Sequence, residues 1–203
     1  MNDRSKTFLG IDWSGHVKLS IALLAFLTIH APLWAQEPRV ADPPEYQRFK
    51  DNAGTWDAVI KMYFNGPAKP AIESRGVEVN EVVGGGKAAR TTFKYKMKNI
   101  AFEGHGLIGY DPRSKECFGL WVDNFTTIPS QRRGHYDADQ KTLTMTGVVV
   151  DGALNEIKQK QVTTYIDDET KTLTIFMVVE DGGKTSEVKL MEMTANKRLA
   201  DAQ

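Results

Sequence analysis

Tyr110-Asp111-Pro112-Arg113-Ser114-Lys115 separates two residue runs that alternate in side-chain character, and it has two echoes, Tyr136-Asp137-Ala138-Asp139-Gln140-Lys141 and Asp167-Asp168-Glu169-Thr170-Lys171. Aspartate suits the first position because its carboxylate accepts hydrogen bonds from backbone N–H groups two or three residues on. Lysine re-enters a strand with its head in water. This is hairpin punctuation, and it implies an antiparallel sheet.

Outward from these turns the alternation continues. Thr55 to Phe64 puts Trp56, Ala58, Ile60, Met62 and Phe64 on one face and Thr55, Asp57 and Lys61 on the other, the period of a half-buried strand. Further strands read as 72–83, 87–97, 101–110, 115–124, 129–136, 141–150, 156–166, 171–180 and 184–194, ten in all. Pro43, Pro44 and Glu45 to Lys50 read as one short helix with proline in its first turn. No later stretch is long and helix-periodic enough for a crossover, so successive strands pair as hairpins. Ten such strands split into a sandwich or close into a barrel, and closure removes the exposed edges. The expected fold is all-β: a single ten-stranded antiparallel up-and-down barrel with a short N-terminal helix.

Consecutive turns of such a barrel alternate between its ends. The three aspartate turns, the Gly84–Gly86 turn, the helix and the chain after strand 10 therefore share one end, which is expected to be closed. The longer, more apolar connections, among them Asn65–Pro70 and Asn124–Ile128, share the other, where a ligand mouth is expected.

The chain has 203 residues with 26 basic and 26 acidic side chains, so no global field draws it to nucleic acid. Leu19 to Ile29 is an apolar run preceded by Arg4, Lys6 and Lys18 and followed by Trp34-Ala35-Gln36, the pattern of a secretory signal peptide cleaved after Ala35. His30 and Pro32 interrupt a run already short for a spanning helix, so no stable membrane insertion is expected after cleavage. The expected organisation is a signal peptide at 1–35, a lead segment and helix at 36–53, a barrel at 54–196 and a tail at 197–203, in an exported protein, periplasmic or secreted. Cys117 is the only cysteine, so no internal disulfide is possible. Nothing in the sequence reports the oligomeric state.

Gly54-Thr55-Trp56-Asp57, Gly106-Leu107-Ile108-Gly109-Tyr110-Asp111, Trp121-Val122-Asp123-Asn124 and Gly134-His135-Tyr136-Asp137 with Lys141-Thr142-Leu143-Thr144 stand in an order that resembles the bacterial domain of unknown function 1579, over about residues 45–194. The resemblance implies a calycin-like fold and export, and it carries no catalytic residues. In lipocalin-type barrels a Gly-x-Trp at the start of strand 1 closes the floor and a basic side chain after the last strand packs on the tryptophan. Gly54 and Trp56 match the first role, and Lys197 or Arg198 the second.

Candidate chemistry is sparse. His105 and His135 each stand beside glycine in a strand, as a general base or ligand or as barrel positions satisfied by neighbours. No metal-ligand spacing accompanies them, so no metal is expected. Haem-binding barrels of the nitrobindin kind resemble this outline, but they carry their axial histidine near the C-terminus and His135 is the last here, so no cofactor is expected. Trp121 and Asp123 share a face near the expected mouth, as an apolar platform beside an acceptor or as core and turn. Arg132 and Arg133 point to opposite faces, and the inward one needs a carboxylate, for which Asp123 is available, or an anionic ligand group. In strand 8 the odd positions Ile157, Gln159, Gln161, Thr163 and Tyr165 are mainly polar, which suits a hydrated cavity or an edge strand.

The expected function is non-catalytic binding of a small, largely apolar molecule at a mouth lined by Phe64, Phe102, His105, Trp121, Asp123, Phe125 and Arg132. The rivals are an enzyme using His105, Asp123 or His135 in the cavity, and an interaction or structural module whose barrel is filled.

Overall fold

A computed structural model describes residues 42–126 and 128–199. The segment expected to be a signal peptide and the end of the tail lie outside the described residues. One helix, α1 (Pro44–Asp51), precedes ten strands: β1 (Gly54–Met62), β2 (Ile72–Val83), β3 (Ala88–Met97), β4 (Ile100–Asp111), β5 (Glu116–Asp123), β6 (Ser130–Asp137), β7 (Thr142–Val150), β8 (Glu156–Tyr165), β9 (Thr170–Asp181) and β10 (Lys184–Lys197). Each pairs with its sequence neighbour, and β1 pairs with β10 from Trp56↔Lys197 to Met62↔Met191, so the sheet closes as an up-and-down barrel. Among the described residues no helix is long and apolar enough to cross a membrane.

The register follows from the alternation. Trp56, Ala58 and Ile60 are buried on β1, Phe93, Tyr95 and Met97 on β3, and Met191, Met193 and Ala195 on β10, forming one continuous cluster along one wall. A second cluster of Cys117, Leu143, Met145 and Tyr165 fills the region under α1. The helix starts with Pro44, whose missing N–H is one a first turn leaves unpaired in any case. Its buried face is Glu45, Arg48 and Phe49, spaced one turn apart, with the Arg48 guanidinium 4.3 Å from the Tyr165 ring centre.

The aspartate turns are built as their composition requires. Asp111 Oδ1 accepts from the Arg113 amide at 2.9 Å, Asp137 Oδ1 from Asp139 and Gln140 at 3.0 and 2.9 Å, and Asp167 Oδ1 from Glu169 at 2.8 Å. The Arg113 side chain grips Asp111 as well, and with the backbone amide holds its carboxyl down at about 2, from an ordinary 3.8. A carboxyl depressed in the folded state contributes stability that is present above 3.8 and lost as pH falls towards 2. An NMR pH titration should find the Asp111 carboxyl midpoint near 2, and Arg113→Ala should return it towards 3.8; an unchanged midpoint in the variant would remove Arg113 as the cause.

The third turn departs from the other two. Asp111 pairs with Glu116 and Asp137 with Thr142, so Lys115 and Lys141 are loop residues with left-handed φ of 57° and 51°. In the third, Tyr165 pairs directly with Lys171. Lys171 is thus a strand residue on the inner face and is 2% exposed, contrary to the expectation of a lysine with its head in water.

Candidate functional site

The closed end is built around Trp56, which is fully buried and donates its indole N–H to the Asn52 carbonyl at 3.0 Å. Lys171 Nζ lies 4.2 Å from the indole ring centre, 2.5 Å from Glu78 Oε1 and 2.8 Å from Asn52 Oδ1. The Asn80 amide donates to the same Glu78 oxygen, and Thr91 donates to Asn80 Oδ1 at 2.6 Å. Burial lowers the Lys171 pKa while Glu78 raises it in part. Lys197 Nζ also faces the indole, 5.5 Å from its centre, and donates to the Asp51 carbonyl at 2.9 Å. Lys197 therefore takes the role for which the sequence offered Lys197 or Arg198. Arg198 instead turns outward onto Asp57, at 2.8 and 2.6 Å, because the next residue along a strand faces the other way.

Above this floor the barrel holds a cavity of about 340 Å³, within the size range of small-molecule sites. One wall is aromatic. Tyr95 stacks on Phe102 with ring centres 4.6 Å apart, and Phe125 meets Phe102 edge-on at 5.2 Å. Leu143, Met145, Leu173, Ile175 and Met193 continue the apolar lining, while Gln159, Gln161 and Thr163 of β8 add a polar stripe. The polar odd positions of β8 are thus inward positions.

Trp121 lies flat across β4. A Cβ on Gly104 would sit 2.3 Å from its Cζ2 and one on Gly106 2.8 Å from its Cε3, so the two glycines make room for the indole. Asp123 fixes it by accepting from Nε1 at 2.7 Å. The other Asp123 oxygen accepts from the amides of Phe125 and Thr126 at 2.8 and 2.7 Å, and Asn124 bridges to the Ala101 carbonyl and the Glu103 amide at 2.8 and 3.0 Å. The Trp121-Val122-Asp123-Asn124 block therefore shapes the rim that carries Phe125.

Of the residues expected at the mouth, the structure brings Phe102, Trp121, Asp123, Phe125 and Arg132 to the cavity. Two lie elsewhere. Phe64 is 58% exposed, because β1 ends at Met62 and the Tyr63 carbonyl closes a turn onto Gly66, taking Phe64 out of the pleat. His105 is on the outer surface, hydrogen-bonded to Glu103 and Thr92; with Phe102 and Gly104 facing in, parity along β4 requires it. His135 is also outside, against the Lys115 carbonyl at 3.1 Å. Asp123 therefore shares no cavity with either histidine. Among the described residues no group of three His, Cys, Asp or Glu side chains is arranged to hold a metal ion.

Arg132 is the inward member of its pair, since Arg133 reaches Glu116 on the outside. It donates to Gln159 Oε1 at 3.3 Å, its Nε is buried with no hydrogen-bond partner, and among the described residues no carboxylate lies within ion-pair distance. Burial pushes its pKa down and the Asp123 charge acts in the opposite sense.

Cys117, 1% exposed under α1, has its thiol pushed up to about 12, chiefly by burial and then by the Glu45 charge. Ellman's reagent at pH 8 should modify it only as fast as the protein unfolds. Rapid labelling under native conditions would contradict this placement.

The fold and its hollow interior define a lipocalin-like barrel. The chain belongs to the family described as protein of unknown function (DUF1579), whose model matches residues 42–197. Among solved structures it is similar to the S-type phycobiliprotein lyase CPES from Guillardia theta, with 9% sequence identity and a TM-score of 0.50 over 76% of this chain and 93% of that one, a likeness of fold. No curated protein matches the chain.

Proposed function

We propose that this protein is an exported, non-catalytic barrel that binds a small, largely apolar molecule in its interior. The observation that carries the reading is the cavity of about 340 Å³, lined mainly by aromatic, aliphatic and methionine side chains beneath a rim held by Asp123. A barrel acting only through its outer surface has no need of this space, since side chains of ordinary size would fill it. Trp121 lines the cavity and serves as the reporter.

Native mass spectrometry and solvent extraction of gently purified protein should reveal a co-purifying apolar molecule, and apolar probes should change the Trp121 fluorescence. Protein that carries no such molecule and takes up no apolar probe would remove the proposal. Export is tested separately, by cell fractionation and by the mass of the mature chain, which should begin at Gln36.

A further inference from the structure

Two cationic side chains of the strands line the cavity, Lys171, which is buried, and Arg132, which is half-buried, and their partners differ. Lys171 at the floor has a carboxylate at 2.5 Å, an amide oxygen at 2.8 Å and an indole face, the set of partners a structural buried charge requires. Arg132 has one neutral amide at 3.3 Å and a buried Nε with no partner. A guanidinium keeps its charge in any protein environment, and a buried charge without a counter-charge is costly. Asp123, whose charge is felt at Arg132, already holds the Trp121 indole and the rim amides.

Space has also been made for this side chain. Its inward-facing cross-strand neighbours are Gly119 on β5 and Gly147 on β7. A Cβ on Gly147 would come within 2.8 Å of Arg132 Cγ, so the arginine stem lies over the bare backbone of β7 to reach Gln159 on β8. Gln161 follows two residues along on the same inner face and lines the same cavity. A planar fork of donors, a glutamine amide beside it and an apolar chamber around them match an oxyanion on an apolar body.

Building on the proposed binding function, we infer that the ligand is a monoanionic amphiphile of the carboxylate class, its oxyanion on Arg132 and Gln159 and its apolar part against Trp121 and the Phe102 wall. The probes are decanoate and decanol, equal in chain length and different in charge, titrated calorimetrically below their aggregation concentrations into the full chain freed of any co-purifying molecule on a hydrophobic resin. Decanoate should bind at least about tenfold more tightly than decanol. Arg132→Met should weaken decanoate about 10–100-fold, the range for a hydrogen bond to a charged group, and leave decanol within about threefold. Arg132→Lys, which keeps the charge and loses the fork, should fall between. Gln159→Leu should weaken decanoate by a smaller factor, and with the wild-type selectivity it decides the matter if Arg132→Met does not fold by circular dichroism. Equal binding of decanoate and decanol would overturn the carboxylate inference and leave the apolar-binding function standing; failure of both to bind would overturn both.

Discussion

Glu78→Leu is expected to lower the free energy of unfolding by about 3–5 kcal/mol, since it removes one partner of a buried ion pair and leaves the other charge in place. The Lys171 side chain is 3% exposed and that of Glu78 11%, so solvent offers little compensation. Asn52 and the Trp56 ring remain beside Nζ after the substitution, but both are neutral and neither cancels the charge. For a chain of this length each kcal/mol moves Tm by about 2–4 °C, so urea and thermal denaturation should both resolve the change. The double variant Glu78→Leu/Lys171→Met should recover most of the loss, because two apolar side chains of similar volume leave no charge to desolvate. Burial already lowers the Lys171 pKa below its ordinary 10.5, and loss of Glu78 lowers it further. The folded variant then binds fewer protons than the unfolded chain between the depressed value and 10.5, so its stability should rise as pH climbs through that window. A single variant within 1 kcal/mol of wild type, or a double variant worse than the single, would refute this account of the floor.

The same lysine shows where the sequence was legible and where it stopped. Aspartate turns, strand alternation and the lack of any crossover helix are local signals, and they led to ten strands, the closed barrel and the grouping of turns at one end. Lys171 was hidden because it ends the third turn in sequence, as Lys115 and Lys141 end theirs, yet that loop spans 166–169 where the others span 112–115 and 138–141. Relative to its Asp-to-Lys motif the third loop starts and ends two residues earlier, which puts the lysine in the strand, and a strand position has a fixed face. Its partner Glu78 is 93 residues away and pairs with it only once the barrel closes. His105 differs in kind: Phe102 and His105 have opposite parity on one strand, so they could not both line the mouth, and the signal was present. The role of Gly104 and Gly106 was not legible, because it depends on Trp121 of the neighbouring strand lying flat across them.

Gly147→Ala should affect folding and the site together, and comparison with Gly104→Ala shows why it should be the more damaging. At Gly104 the atoms a new Cβ meets belong to the Trp121 indole, 2.3 Å away, and a side chain can yield. At Gly147 the first obstacle is the Gln131 carbonyl oxygen at 2.2 Å, with Arg132 Cγ at 2.8 Å and Arg132 Cα at 3.2 Å behind it. Backbone on the paired strand moves only if β6 and β7 separate, which stretches the ladder between Arg132↔Gly147 and Gly134↔Met145. The cost of such overpacking is about 1–3 kcal/mol, at the upper end where backbone must shift. The displaced strand is the one that carries Arg132. Gly147→Ala should therefore lose both stability in urea and the preference for decanoate over decanol. Gly104→Ala should lose less stability, and its main effect should be a changed Trp121 emission with the decanoate preference kept. If Gly147→Ala retains wild-type stability and selectivity, the close crossing of β6 and β7 is not what places the Arg132 guanidinium.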